Sequence, residues 1–233
     1  MKIHRFIGNF DLSKKQLVIR EEKLVRQLFL VLKIQKNEQI VLSNGQGQES
    51  QATVIKASAK EYLVELTGNQ AGVNIHRQVV LYCAVLKKEN FELVVQKAAE
   101  VGVARIVPII SERTIKLNVN FDRLEKIAQE ASEQAGRADV PAIGSTSSLG
   151  KALVESKNFD VAIIFNQTGK PMAALQSKLA RTKKVAIYIG PEGGWTAAEL
   201  NLAEKAGCTA VSLGPTTLRG ETAAIIGSYL ASQ

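Results

Sequence analysis

The chain has 233 residues, of which 45% are hydrophobic and 22% are charged, and its formal net charge is +8. This length leaves the number of domains open, and no apolar run approaches the roughly 18 residues that a membrane helix needs. No basic, apolar leader follows Met1. Residues 1–72 hold 11 Lys and Arg against 7 Asp and Glu, which is half of the excess positive charge. We therefore predict a soluble, cytoplasmic protein that binds a polyanion partly through its N-terminal region.

The cysteines and histidines predict neither a disulfide nor a metal site. Cys83 lies in an apolar run and Cys208 lies near a predicted helix end, with no CxxC spacing. This arrangement favours buried free thiols in a reducing compartment. His4 and His76 have no partner at ligand spacing, so no metal is expected.

Residues 1–72 are predicted to form a small β-barrel or meander. Asn44-Gly45 favours a tight turn between the first two of three period-two segments, which makes them a β-hairpin. The predicted strands are Gln39–Leu42, Gln51–Ala57 and Glu61–Leu66. One helix is predicted over Glu21–Val31. The polar stretch 68–72 is expected to be flexible and to separate this domain from a second one, 73–233.

After Asn74, continuous apolar segments alternate with helical patterns, which predicts an α/β domain with a parallel sheet covered on both faces. The predicted strands are Val79–Leu86, Ala104–Ile110, Val161–Phe165, Val185–Ile189 and Ala210–Leu213. The predicted helices are Phe91–Val101, Phe121–Ala135, Lys151–Lys157, Met172–Arg181, Thr196–Gly207 and one that begins near Glu221. Thr196 and Glu199 have the spacing of a capping box.

Three loops follow strands of the predicted sheet, and ligands of parallel α/β proteins bind beyond such strand ends. The loops span residues 166–170, 190–194 and 214–220. In the second loop, Gly190, Gly193 and Gly194 permit a close approach of a ligand to bare backbone. This loop is neither a G-x-G-x-x-G fingerprint nor a P-loop. A backbone-lined pocket and an ordinary tight turn between a strand and a helix both remain open.

Arg219 and Glu221 flank Gly220 at the start of the last predicted helix. Arg219 could clamp a phosphate or a carboxylate, and Glu221 could accept a proton or orient a base. Alternatively, Glu221 complements the helix dipole and Arg219 pairs with it on the surface. Arg137 ends the helix that begins near Phe121, where an arginine commonly interacts with the helix C-terminus.

Over nearly its whole length the chain resembles the ribosomal RNA small subunit methyltransferase E family, bacterial enzymes that methylate N3 of a uridine in 16S ribosomal RNA. The similar segments occur in the family's order. They are His4–Phe6, Leu42–Gly47, Val95–Val103, Glu112-Arg113, Glu133–Arg137, Ile189–Gly194, Leu213–Pro215, Leu218-Arg219 and Glu221–Ala223. Their joint occurrence is far more specific than any single loop.

The resemblance implies a PUA-like RNA-binding β-barrel over 1–72 and a SPOUT methyltransferase domain over 73–233, with a parallel sheet and a trefoil knot. It also implies that S-adenosylmethionine binds in the knot, held largely by backbone groups, and that the protein is a homodimer. The implied substrate is a uridine in the decoding region of 16S ribosomal RNA, in free RNA or in the assembled small ribosomal subunit.

The resemblance assigns roles to individual residues. Arg219, Glu221 and Arg137 would be catalytic, with Glu221 as the candidate general base, and Arg5 and Arg113 would contact RNA. The cofactor would be bound by Phe165, Ile189, Gly190, Gly193, Gly194, Leu213, Gly214, Leu218 and Thr222. The chain departs from the family at Thr216-Thr217, where Arg-Ile or Arg-Val is usual, and at Ala135, where Ser is frequent. Phosphate contacts are therefore expected to be weaker near 216 or to be supplied elsewhere, with the cofactor pocket intact.

Two other hypotheses compete with this one. The first is a non-catalytic RNA-binding protein whose knotted domain serves only for dimerisation. The second is a nucleotide-dependent oxidoreductase, which the lack of a dinucleotide fingerprint disfavours.

Overall fold

The computed structural model describes residues 3–72, 77–115 and 118–233. The chain divides into two compact units, Met1–Asn74 with Ser132–Val140, and Ile75–Ala131 with Pro141–Gln233. Residues 132–140 group with the N-terminal unit, which the sequence analysis did not anticipate. His76, considered above as a metal ligand, lies outside the described residues.

The first unit is built on a five-stranded sheet in the order β1-β3-β4-β5-β2. Its elements are β1 (His4–Ile7), β2 (Gln16–Ile19), α1 (Glu22–Arg26), β3 (Gln39–Ser43), β4 (Gln48–Ala57) and β5 (Tyr62–Ala71). A π-helical turn, Gln27–Val31, follows α1 directly. Strands β1 and β3 are parallel and the other pairs are antiparallel. The side chains that face inward are apolar, and Leu28, Ile40 and Tyr62 are fully buried among them.

The structure bears on two expectations for the first unit: the PUA-like barrel stays a prediction, and the flexible stretch is corrected. The described strands form an open path with β1 and β2 at its ends, so no closed barrel is found in this part of the chain. The stretch 68–72, expected to be flexible, belongs to β5 as far as Ala71. A register shift opposite Ser50 accommodates one extra residue of β5, and the Ser50 hydroxyl donates a hydrogen bond to the carbonyl of Gly68 (2.8 Å). In the stretch 68–71, pairing with β4 thus outweighs the turn-forming composition of the residues. The predicted hairpin, formed by β3 and β4, is confirmed.

The second unit contains a parallel seven-stranded sheet, as predicted, in the order β12-β10-β11-β6-β7-β8, with β9 paired to β7. Its strands are β6 (Gln78–Ala84), β7 (Arg105–Ile110), β8 (Ala142–Ile143), β9 (Ser147–Ser148), β10 (Val161–Pro171), β11 (Lys184–Ile189) and β12 (Thr209–Ser212). Its helices are α2 (Lys88–Glu100), α3 (Phe121–Ala135), α4 (Leu149–Val154), α5 (Gln176–Leu179), α6 (Ala197–Lys205) and α7 (Gly220–Ser232). The last turn of α3 groups with the first unit.

Each predicted strand and helix of this unit corresponds to a described element, with one exception among the predicted loops, while the short strands β8 and β9 were not predicted. Thr196 and Glu199 form the predicted capping box, since the Thr196 side chain accepts from the Glu199 N–H and the Glu199 carboxylate accepts from the Thr196 N–H. The exception is 166–170, expected to be a loop, which continues β10 through a register shift. Because of this shift, Phe165 and Lys170 both lie opposite Val211 of β12.

The core of the second unit lies around its central strands β6 and β11. Tyr82 and Tyr188 stack in parallel on these strands, with ring centroids 4.7 Å apart. Cys83 and Cys208 are buried free thiols, as predicted. Burial raises the pKa of Cys208 to about 11, which keeps it protonated at neutral pH.

The described helices include none with the length and apolar character needed to cross a membrane.

Candidate functional site

A cavity of about 650 Å³ lies at the carboxyl ends of β6, β11 and β12 and at the register shift within β10. These strands are neighbours in a parallel sheet, so the segments that follow them converge at one edge. The lining residues are Lys87, Asn90, Phe165, Asn166, Gln167, Ile189, Gly190, Pro191, Glu192, Gly194, Trp195, Val211, Ser212, Leu213, Gly214, Thr216, Thr217, Leu218, Arg219, Gly220, Glu221 and Ala223. The segments predicted at 166–170, 190–194 and 214–220 all contribute to this wall.

Lys87 and Asn90 are lining residues that the sequence analysis missed. They lie at the start of α2, which follows β6 along the chain. Strand β6 pairs directly with β11, so the residues after β6 lie beside the loop 190–194, which follows β11. Apolar periodicity identified both strands, but the order of strands in the sheet is not visible in that pattern.

Trp195 shapes the wall beside the glycine loop and was also missed. Its indole nitrogen donates a hydrogen bond to the carbonyl of Phe165 (3.0 Å). A Cβ atom added to Gly190 would lie 3.0 Å from the Trp195 ring, closer than ordinary van der Waals contact. Glycine at 190 therefore lets the indole pack against the end of β11.

Gly194 belongs to a tight turn and also lines the cavity, so both interpretations considered for this loop apply to it. Its N–H donates to the carbonyl of Pro191 (2.8 Å), so the loop is a tight turn. Its φ of +69° lies in the left-handed region that favours glycine. Gly194 also lines the cavity, and a Cβ atom there would meet no other group within 4 Å. The turn is therefore also a stretch of bare backbone that a ligand can approach.

The start of α7 packs closely against the neighbouring segments. A Cβ atom on Gly220 would lie 2.9 Å from the Leu86 side chain and 3.7 Å from the carbonyl of Gly190. Helix α7 also packs on α2, β6 and β11. This packing carries the first turn of α7 into the cavity wall.

Glu221 lies in that first turn, and its carboxylate is buried, with 9% of the residue exposed. The Oε2 atom has no hydrogen-bond partner in the described part of the chain. A buried carboxylate oxygen without a partner is costly, so such groups typically serve a ligand or a reaction. Glu221 is one of the residues that line the cavity.

Arg219 also lines the cavity, but it is exposed. No ion pair joins it to Glu221 among the described residues, so the surface pairing considered above is wrong. The physical reason is the burial of the carboxylate, which packing of α7 holds away from the surface. The cationic Arg219 and the acidic Glu221 instead both line the same cavity.

Most predicted cofactor residues line the cavity, and two do not. Gly193 lies just outside it, where its carbonyl accepts a hydrogen bond from the Arg113 guanidinium (2.8 Å). Thr222, the other exception, is half-buried in α7. The residues that line the cavity as predicted are Phe165, Ile189, Gly190, Gly194, Leu213, Gly214 and Leu218.

Arg137 and Arg5 belong to the first unit and do not line this cavity. Arg137 is 5% exposed, and its guanidinium pairs with Asp139 at 2.8 Å. Arg5 pairs with Glu49, and burial lowers the pKa of the Arg5 guanidinium. The catalytic role of Arg137 and the RNA contact of Arg5 stay predictions.

Comparison with known proteins identifies the family. Residues 74–231 match the model of the RNA methyltransferase domain. The ribosomal RNA small subunit methyltransferase E of Mesomycoplasma hyopneumoniae is 33% identical over 177 residues, which cover 74% of this chain and 75% of that protein. The chain belongs to the ribosomal RNA small subunit methyltransferase E family. The member from Rickettsia conorii is 28% identical over 230 residues, 97% of this chain and 93% of that protein.

A solved structure of this family has the same fold. The ribosomal RNA small subunit methyltransferase E of Neisseria gonorrhoeae, bound to S-adenosylmethionine, superposes with a TM-score of 0.89 at 27% identity. The match covers 97% of this chain and 95% of that one. Membership makes this chain a methyltransferase and decides against the oxidoreductase and non-catalytic hypotheses.

Proposed function

We propose that this protein transfers a methyl group from S-adenosylmethionine to N3 of a uridine in the decoding region of 16S ribosomal RNA. The observation that carries the proposal is Glu221, a buried residue that lines the cavity of a chain from this methyltransferase family and whose carboxylate has an oxygen without a hydrogen-bond partner among the described residues. A group that accepts a proton is required because N3 of uracil holds a proton at neutral pH.

The cavity fits the cofactor in size and in chemistry. Its volume of about 650 Å³ lies within the range of small-molecule sites. Bare backbone at Gly194 allows a close approach to the ligand. The carboxylates of Glu192 and Glu221 offer partners for a cation. When bound, S-adenosylmethionine supplies a methyl group on a positively charged sulfur.

The residues of the chain then have separate tasks. Glu221 would accept the proton from N3, whose electron pair stays on the nitrogen and forms the new bond to the methyl carbon. The methyl–sulfur bond would break at the same time, and its electron pair would leave with the sulfur, which becomes neutral. Arg219 stabilises the negative charge that develops on a uracil oxygen as this proton leaves. The glycine loop and the indole of Trp195 hold the reacting groups in line, which lowers the entropic part of the barrier. Because N3 lies on the pairing edge of uracil, the target uridine must be unpaired during the reaction.

The same proposal extends to the rest of the protein. Residues 1–72 form the PUA-like, RNA-holding domain, supported by their net positive charge, and 73–233 form the SPOUT methyltransferase domain. Arg5, Arg113 and Arg137 contact RNA or the reacting base. The trefoil knot and the homodimer follow from the family resemblance. The substrate is the 16S ribosomal RNA, free or in the assembled small subunit.

The test uses small ribosomal subunits, and free 16S RNA, from cells that lack the gene. Each is incubated with the protein and S-adenosylmethionine, and the RNA is then digested for nucleoside analysis by mass spectrometry. We expect one 3-methyluridine per RNA molecule in at least one substrate. Primer extension should stop at the modified position in the decoding region, since a methyl group on N3 blocks base pairing. Methylation of another nucleoside, or no methylation of either substrate, would contradict the proposal.

A further inference from the structure

The charged side chains that line the cavity differ in how deeply they are buried. Four charged side chains line it, and only the carboxylate of Glu221 is buried. The two cations, Lys87 and Arg219, are exposed and therefore lie at the rim. The rim also carries the exposed carboxylate of Glu192. This arrangement places negative charge deep in the cavity and both positive charges where a large substrate would approach.

We propose that Lys87 is a positioning residue whose ammonium group binds a phosphate of the target RNA at this rim. The inference rests on the proposed function, because it takes RNA as the molecule that approaches the cavity. It adds a contact on the side of the cavity that the sequence analysis did not identify.

The position of Lys87 suits an anion. Lys87 is the N-cap residue of α2, a helix of 13 residues, and its carbonyl accepts the N–H of Phe91 at 3.0 Å. The aligned peptide dipoles of α2 place partial positive charge at this end of the helix. The side-chain amide of Asn90, in the first turn, adds hydrogen-bonding groups to the same wall. No carboxylate forms an ion pair with Lys87 in the described part of the chain.

The geometry of the reaction favours a phosphate over other anions. When the uracil base enters the cavity, the phosphates on either side of its nucleotide stay outside, at the exposed rim. Thr216 and Thr217 also line the cavity, and neither carries a charge. Arg219 is engaged with the uracil oxygen in the proposed mechanism. Among the described residues that line the cavity, Lys87 is therefore the remaining cation, and its compact ammonium with three rotatable donors suits a phosphate.

The alternative anion is the carboxylate of S-adenosylmethionine, and the experiment separates the two. Lys87→Gln removes the charge, Lys87→Arg keeps it, and Lys151→Gln is the control, since Lys151 is an exposed lysine of α4 that does not line the cavity. Affinity for unmethylated small subunits is measured over a series of salt concentrations. Affinity for S-adenosylhomocysteine is measured by calorimetry, and the single-turnover rate is measured at saturating RNA.

We expect Lys87→Gln to weaken RNA binding about tenfold at low salt and to reduce the slope of log affinity against log salt by about one. Lys87→Arg should restore both quantities, and Lys151→Gln should leave them unchanged. The affinity for S-adenosylhomocysteine and the rate at saturating RNA should change less than twofold. A merely structural role of Lys87 would not alter the salt slope.

Two results would overturn the inference. If Lys87→Gln weakens S-adenosylhomocysteine binding and leaves the RNA salt slope intact, Lys87 binds the cofactor. If it changes neither affinity, Lys87 binds no anion at all. Failure of the wild-type protein to form 3-methyluridine contradicts the proposed function, whereas the RNA affinities, which need no turnover, still decide the role of Lys87.

Discussion

The indole nitrogen of Trp195 lies 3.0 Å from the carbonyl oxygen of Phe165 and donates a hydrogen bond to it. The bond joins the segment after β11 to the point where β10 shifts its register. Both residues are more than nine-tenths buried and both line the cavity. One side chain thus fixes two walls of the proposed cofactor site.

Trp195→Phe should weaken both the fold and the binding of the cofactor. The variant keeps an aromatic ring but leaves the Phe165 carbonyl without its donor, so the free energy of unfolding should fall by about 1–3 kcal/mol. Because the bond holds the cavity wall, affinity for S-adenosylhomocysteine should fall by about tenfold, equivalent to ~1.4 kcal/mol. Urea unfolding and calorimetry measure the two effects.

Tyr188→Phe is the matched control for this prediction. It removes the Tyr188 hydroxyl that donates to the carbonyl of Ala152 (3.0 Å), a buried bond in the same unit whose residues do not line the cavity. We expect a similar loss of stability with unchanged cofactor affinity. Equal loss of affinity in both variants would show that Trp195 acts through general stability.

Gly194→Ala should separate backbone strain from ligand contact. Gly194 has a φ of +69°, so any other residue costs about 1–2 kcal/mol of stability. The added methyl group also enters the cavity, so affinity for S-adenosylhomocysteine should fall by about tenfold or more. Gly207→Ala is the control, since Gly207 has a φ of +84° and does not line the cavity. Unchanged affinity in a folded Gly194→Ala protein would remove Gly194 from the cofactor site.

Glu221→Gln tests the general base. The substitution preserves shape and removes the proton acceptor, so the single-turnover rate should fall by roughly 10² to 10⁴-fold. The rate should partly recover at high pH, where free uridine loses its N3 proton. Glu204→Gln, at an exposed site on α6, should have no effect. A wild-type rate for Glu221→Gln at neutral pH would show that the proton leaves by another route.

Arg219→Ala tests charge stabilisation at the uracil oxygen. Arg219 is exposed and forms no ion pair with Glu221 among the described residues, so its removal should cost little stability, ~0.5 kcal/mol or less. The single-turnover rate at saturating RNA should fall by about 10²-fold or more. If only the affinity for RNA changes, Arg219 binds phosphate and does not act on the reacting base.

Asp160 should contribute a pH-dependent part of the stability. Its carboxylate accepts hydrogen bonds from the N–H groups of Lys184 (2.8 Å) and Lys183 (3.0 Å), which lower the pKa of Asp160 below its ordinary value. The unfolded chain then binds more protons than the folded one as the pH falls below about 4. This contribution is complete above pH 4 and is lost as the pH falls through the folded-state pKa.

Asp160→Asn should therefore lose stability at neutral pH relative to the wild-type protein, and the difference should shrink in acid. Urea unfolding at a series of pH values between 2.5 and 7, about the range in which carboxylates titrate, measures this difference. Parallel curves for the two proteins would show that the hydrogen bonds to Asp160 do not depend on its charge.

Local patterns predicted much of this molecule. Continuous apolar segments identified β6, β7, β10, β11 and β12 as strands of a parallel sheet, because burial on both faces leaves no polar alternation. Thr196 and Glu199 located the start of α6, since a capping box depends on residues three positions apart. The glycines at 190 and 194 were recognisable as members of a tight loop after a strand, whereas their contact with a cofactor stays a prediction.

Other features depend on contacts between residues distant in the chain. The pairing of β6 with β11 brings Lys87 to the cavity, and packing of α7 on these strands buries Glu221. The stretch 68–71 becomes a strand only because β4 offers hydrogen-bonding partners. Neither strand order nor burial has a local periodicity in the sequence, since both arise from long-range hydrogen bonds and apolar packing. The residue types of the site could thus be recognised from their order in the chain, whereas their grouping around one cavity required the folded sheet.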